Sequence, residues 1–293
     1  MQNEARTIRH IQHPGPAAAQ RLTVVPAQVS HRVLQLQAGR SLLAALSEAI
    51  APSGATSAVL TLQSGSLLPF AHVMPALSKT SEHAVYFSDR FDATAPVHLD
   101  FATVTFGHRD GQPTLHCHGV WTDARGAQHC GHVLPHESVL ASPISASAWL
   151  LHGAAFQVGA DDETRFSLLK PVAVAGAAMS PVARPALAIR LSPNEDVCTA
   201  LETICREHGF SHATVHGGVG STVGVVFDDG RIIEPFVTET LIRHGRVSPG
   251  PDGTPRAQLD ISMIDHTGGQ ASGRLARGAN PVLVTFELVL EPD

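Results

Sequence analysis

The chain has 293 residues, enough for about two ordinary domains. Hydrophobic residues make up 43% and charged residues 16%, with mean hydropathy +0.07, which excludes a disordered chain. Lys+Arg number 20 against 26 Asp+Glu, a net charge of −6, so specific nucleic-acid binding is not expected.

No run approaches the roughly 18 apolar residues of a membrane span, so no membrane partner is expected. Met1 to Gln20 is polar, with Pro14 and Pro16. The expectation is a cytoplasmic chain with Cys117, Cys130, Cys198 and Cys205 as reduced thiols. Histidine is abundant at 18 residues, while aromatic residues are only 5%.

In chain order, residues 1–30 read as a polar arm. Val33–Gln37 reads as a strand, followed by Gly39 and a helix from Ser41 to Ile50 with Leu42, Leu43, Leu46 and Ile50 on one face. Ala58–Leu62, His83–Phe87 and Val97–Gly107 read as strands. Pro171 to Pro185 is rich in Ala and Pro and reads as a linker, 171–185. Beyond it, Ala188–Leu191 is strand-like. Ser192, Pro193 and Glu195 then form the pattern of a capped helix start. Val197, Leu201, Ile204 and Cys205 share its apolar face, and Gly209 ends it. His212–His216, Thr222–Phe227, Thr240–Val247, Gln258–Ile264 and Val282–Leu290 read as strands, with a hairpin turn at Asp228-Asp229-Gly230.

Each half therefore reads as a strand, a helix and many strands, an α+β unit repeated over 31–170 and 186–293. The register supports a duplication. His118, Asp123, Gly126 and Gly131 recur as Asp260, Asp265, Gly268 and Gly273, all at an offset of 142.

The sharpest chemical signal is a histidine hairpin. Thr114–Thr122 alternates as a strand, and Gln128–Pro135 follows a turn. A three-residue loop, Ala124-Arg125-Gly126, with Gly126 left-handed makes opposed residues sum to 250. His118 then faces His132, and His116 shares their face. A two-residue loop would instead place His132 opposite Cys117. Three neutral imidazoles suit a divalent metal, most naturally zinc, and leave one position open. Cys130 lies on the same face, as a fourth ligand or a buried small residue.

Other candidates are weaker. His216 with Gly217, Gly218 and Gly220 could bring backbone close to a ligand. Arg243, His244 and Arg246 could hold a small anionic molecule. Asp100 and Glu137 are acid/base candidates that nothing separates from surface carboxylates. No catalytic residue is assigned.

Gly39, His116-x-His118, Asp123-x-x-Gly126 and Gly131-His132 resemble the PPC domain, conserved in plants and prokaryotes. That family has a Gly-Gly-His-Leu segment where Cys130-Gly131-His132-Val133 stands here. The second half resembles it through His216-Gly217-Gly218-Val219-Gly220-Ser221 and Asp265 to Gly278. The likeness covers roughly 30–170 and 185–293. It implies two duplicated domains, each a twisted, mainly antiparallel sheet with packed helices, and a homo-oligomer assembled around three-fold axes. The family's candidate metal ligands carry over to His116, His118 and His132 only. Gln258, Asp260 and Arg274 replace them in the second half, while the glycine turn is degraded to Gln63-Ser64-Gly65-Ser66 in the first. This complementary loss suggests one composite site, with the second-half turn meeting the histidine face.

These observations support a metal-dependent small-molecule enzyme, a hydrolase or lyase acting on a small carboxylate or carbonyl compound. The alternatives are a DNA-binding or regulatory PPC protein, whose plant relatives carry a basic hook absent here, and an oligomeric scaffold with a structural metal.

Overall fold

The computed structural model describes residues 9–175 and 182–293. Among them, seventeen strands join one largely antiparallel sheet, and a small hairpin of Pro75–Leu77 with Val85–Phe87 stands apart. No helix is long and apolar enough to cross a membrane.

Each unit wraps its sheet over one α-helix. Leu42–Ile50 is capped by Ser41, whose Oγ accepts from the Ala44 N–H at 3.2 Å. It buries Leu42, Leu43, Leu46 and Ile50 in a core with Leu60, Val104 and Trp121. Val197–Glu207 buries Val197, Leu201, Ile204 and Cys205 among Leu259, Ile261 and Phe286. This is the duplicated α+β architecture expected from the sequence.

The second helix starts later than its sequence suggests. Ser192 does not cap it. Asn194 turns the chain at φ +67°, and Asp196 becomes the N-cap, accepting from Thr199 N–H at 2.8 Å. Its other oxygen accepts from Asn280 N–H at 2.8 Å. A residue that caps the helix and also ties down a distant loop outcompetes a local capping box.

The polar arm is also different. Leu22–Leu36 is one strand. Gln28–Leu36 pairs with Ile144–His152 of the first unit, and Leu22–Val29 with Arg184–Leu191 of the second. One strand therefore pairs with both units and joins them into the one sheet. Upstream, His13 Nε2 lies 2.7 Å from the Leu283 carbonyl, and Ile11 exchanges hydrogen bonds with Asn194. The segment read as a linker begins and ends in strands, Ser167–Ala173 and Arg184–Leu191; residues 176–181 of it lie outside the described residues.

The glycine-rich segment is not a turn. It runs inside the strand Ala213–Val226, paired on both sides and bulged at Gly217/Val219. Gly217 has φ +73°, and a Cβ there would lie 2.8 Å from Val59 Cβ of the first unit. The glycine lets two strands from different units touch. Around that contact, Val29, Val59 and Leu151 pack against Ala188 and Val289, and Phe101, Val120 and Cys130 against Leu241 and Ile264.

Gly217→Val should therefore lower stability by about 2–4 kcal/mol, through left-handed strain and overpacking. Gly159→Ala, which meets nothing within 4 Å, should change it by less than about 0.5 kcal/mol. Denaturant midpoints of the two variants check this.

Candidate metal centre

The hairpin forms with the expected loop. Gly126 is left-handed at φ +82°, and Asp123 N–H donates to the Ala127 carbonyl at 2.9 Å. The Asp123 carboxylate accepts from Arg125 and Ala127 N–H at 2.8 and 2.9 Å. His132 pairs with His118, and Cys130 with Val120. Ligand atoms of His116, His118 and His132 all lie within 4.8 Å of one another.

The second unit supplies the surroundings. His118 Nδ1 lies 3.0 Å from the Thr240 carbonyl, which can only accept, so Nδ1 carries the proton and Nε2 is bare. His116 Nδ1 lies 2.9 Å from Glu287 Oε2, and its Nε2 is 3.1 Å from His118 Nε2. Glu239 Oε1 is 3.6 Å from both His118 Nε2 and His132 Nδ1.

Burial governs the charges here. It pushes His118 down to about 3, against the pull of Glu239, and His116 well below the ordinary imidazole range, helped by His132. It lifts Glu287 to about 8, against the attraction of Arg190. The shifts of His116 and Glu287 agree in favouring an uncharged pair.

Two proton arrangements fit this geometry. In one, Glu287 donates to His116 Nδ1, and His116 Nε2–H donates to His118. In the other, His116 Nδ1–H donates to a Glu287 carboxylate, and two bare Nε2 atoms face each other. Both leave His132 Nδ1 and Glu239 Oε2 buried without a partner. A cation held by the three rings fits the second arrangement, in which bare imidazole nitrogens face one another, so the donor set fits a divalent metal.

The triad lines a cavity of about 280 Å³, whose walls come from both units and include Gly220 and Ser221. The other sequence candidates lie elsewhere. A cavity of about 520 Å³ is lined by His216, Gly217, Arg243, His244 and Arg246. Its lining also includes Gln258, Asp260 and Arg274, the counterparts of the histidines 142 residues on. There Arg274 holds Asp260 at 2.9 and 3.1 Å, an ion pair where the first unit has two imidazoles.

Several expected roles change. Arg243 and Arg246 do not face the triad. His216 stacks on Trp149 at 4.2 Å and bonds Glu291 at 2.6 Å. Gly217, Gly218 and Gly220 do not form an open anion-binding turn; their missing side chains make room for Val59, Ile242 and Phe286. Cys130 sits in an apolar cluster that pushes its thiol well up. Glu137 pairs with Arg90, and Asp100 accepts from Thr122 and Gln128; neither lines the cavity of the triad.

Glu239 and Glu287 were not anticipated. Their signal is one acid inside an apolar strand, Val237-Thr238-Glu239-Thr240-Leu241 and Phe286-Glu287-Leu288. A buried lone carboxylate needs a partner.

Residues 181–292 match the Plants and Prokaryotes Conserved (PCC) domain, so the resemblance stands for the second unit. The triad-bearing unit is tied to it by the shared 142-residue register. No curated protein matches the chain. Among solved structures, a plant- and prokaryote-conserved protein from Pyrococcus horikoshii is 13% identical, with TM-score 0.41, covering 51% of this chain and 97% of its own. A metal-containing protein from Archaeoglobus fulgidus is 17% identical, with TM-score 0.39, covering 48% and 92%. A protein from Ralstonia eutropha named as a candidate DNA-binding protein is 16% identical, with TM-score 0.34, covering 47% and 88%. The expectation of no specific nucleic-acid binding in this chain rests on net charge alone, and the name of that neighbour stands against it. A net charge of −6 is a sum over the chain, and it hides the arginines gathered at the larger cavity.

Cys130→Ala should leave metal stoichiometry unchanged and cost about 1 kcal/mol of stability, as a buried small residue does. Elemental analysis beside thermal denaturation checks both halves. Loss of metal would make Cys130 a ligand.

Proposed function

We propose that this chain binds one divalent cation of the zinc class through His116, His118 and His132. The observation carrying this reading is the convergence of three imidazoles, whose ligand atoms lie within 4.8 Å of one another, with Glu239 Oε1 3.6 Å from His118 Nε2 and His132 Nδ1. When bound, such an ion polarises a carbonyl or activates a water. The chain's own groups do the positioning. Glu287 holds His116 by Nδ1, the Thr240 carbonyl fixes the His118 tautomer, and Glu239 faces two of the rings from the second unit. The four cysteines are unpaired, which suits the cytoplasmic location expected above.

Two finer readings follow. One is a hydrolase or lyase for a small carboxylate or carbonyl compound, its catalytic residues unassigned. The other is a DNA-binding protein. It follows the name of the Ralstonia eutropha protein. In this chain it rests on Arg243 and Arg246 at one cavity, with Arg246 exposed. The second is the better supported of the two.

After zinc loading and dialysis, plasma mass spectrometry should find one zinc per chain. His118→Ala should hold none, and Glu239→Gln should bind roughly 10–100-fold more weakly. A wild-type chain without stoichiometric metal would overturn the proposal. For the DNA reading, fluorescence anisotropy with duplex DNA at about 150 mM salt should give saturable binding. Arg243→Ala with Arg246→Ala should reduce the log–log salt slope by about 2. Absence of binding at that salt would remove this reading.

A further inference from the structure

The cavity above the triad has an aromatic wall that metal binding alone does not require. Tyr86, the chain's single tyrosine, stacks on Phe166 with centroids 5.8 Å apart and planes 22° apart. Phe87 meets Phe166 at 6.2 Å, and His83 lies 4.5 Å from Phe166. Aromatic residues are only 5% of this chain, yet three line this one cavity. Tyr86 and Phe87 remain 49% and 38% exposed, so the cluster is not core. Adjacent exposed rings beside a cavity mark a binding surface.

The wall reaches the metal ligands. The Phe87 ring meets the His132 ring nearly edge-on, with centroids 5.0 Å apart. Leu168, Leu169, Val237 and Leu283 continue the apolar lining. Polar groups line the cavity too, and two of them, Glu239 and Glu287, lie against the triad. The one arginine of the lining, Arg109, stands at an exposed strand end. It lies four residues, about 13 Å of strand, beyond Thr105, the residue opposite His116. Arg190 stands behind Thr285 but is taken up by Asp161, Thr285 and Ser192, so among the described residues no lining cation beside the triad is free to take an anionic group.

Size narrows the ligand. An apolar cavity of about 150 Å³ is enough to hold benzene. At about 280 Å³ this one takes a single ring and a short polar substituent. We infer that the cavity binds a small molecule with one aromatic ring and one oxygen- or nitrogen-donor head, the ring against Phe87 and Phe166 and the head toward the triad. The head's role rests on the metal reading above; the ring's does not. This ligand replaces the small anionic molecule expected from sequence.

The test compares two probes that share a head. Acetohydroxamate and benzohydroxamate differ only by methyl against phenyl, and calorimetry on the zinc-loaded chain reads both. Benzohydroxamate should bind at least tenfold more tightly. Phe166→Ala, or the exposed Tyr86→Ala if the former fails to fold, should bring the ratio below threefold. A metal-free arm uses p-cresol and ligand-observed saturation transfer, expected in the wild type and lost in Phe166→Ala. A chain that takes up zinc but shows neither phenyl preference nor cresol transfer overturns this inference and spares the metal. Cresol transfer in a chain that takes up no zinc supports the ring site and overturns the metal. Neither zinc nor cresol binding overturns both.

Discussion

The contact on which the rest depends is the close approach of the strand Ala213–Val226 and its neighbours to the sheet of the first unit. It is possible because Gly217 meets Val59 with no side chain of its own. Once made, it carries Thr240 onto His118 and Glu287 onto His116, and brings Glu239 between His118 and His132. It also sets Thr103 Oγ1 3.2 Å from the Ile242 carbonyl, a polar tie within an apolar seam. The histidine hairpin alone would be three mobile rings at a surface. Facing the second unit, two of them have fixed orientations, and their charge states are governed by burial. The shared strand Leu22–Leu36 reinforces the arrangement, because it pairs with a strand of each unit.

Duplication explains why there are two inter-unit cavities with such different chemistry. The offset of 142 carries His116, His118 and His132 onto Gln258, Asp260 and Arg274. One cavity therefore gathers imidazoles and carboxylates, and the other an ion pair and further arginines. In the second unit the Asp260–Arg274 pair satisfies itself, so that site requires no ion. In the first, neutral imidazoles and unpartnered atoms remain. The two halves have diverged at equivalent positions while keeping the hairpin that presents them. The Asp123 and Asp265 turns make the same backbone bonds, including those that close on Ala127 and Gly269.

What the sequence conveys well is local and periodic. Gly126 dictates the loop, the loop dictates the sum of 250, and alternation puts His116, His118 and His132 together. The helices and most strands follow from the same periodicities. What it conveys poorly is decided by partners far along the chain. Asp196 displaces Ser192 as a cap because it also reaches Asn280. The glycines at 217–220 look like a turn because turns and close strand contacts use the same residue. Arg243 and Arg246 lie only four and seven residues beyond Glu239, on a strand whose successive stretches line different cavities. Glu287 becomes a support for His116 only when the two units meet, across 171 residues of sequence.

The central claim is that this interface holds an ion through the imidazoles of His116, His118 and His132, with no thiolate. X-ray absorption at the zinc edge tests it most directly. The account predicts a first shell of nitrogen and oxygen at about 2.0–2.1 Å with the outer-shell scattering of three imidazoles. A sulfur shell near 2.3 Å, or a spectrum without imidazole scattering, would contradict it.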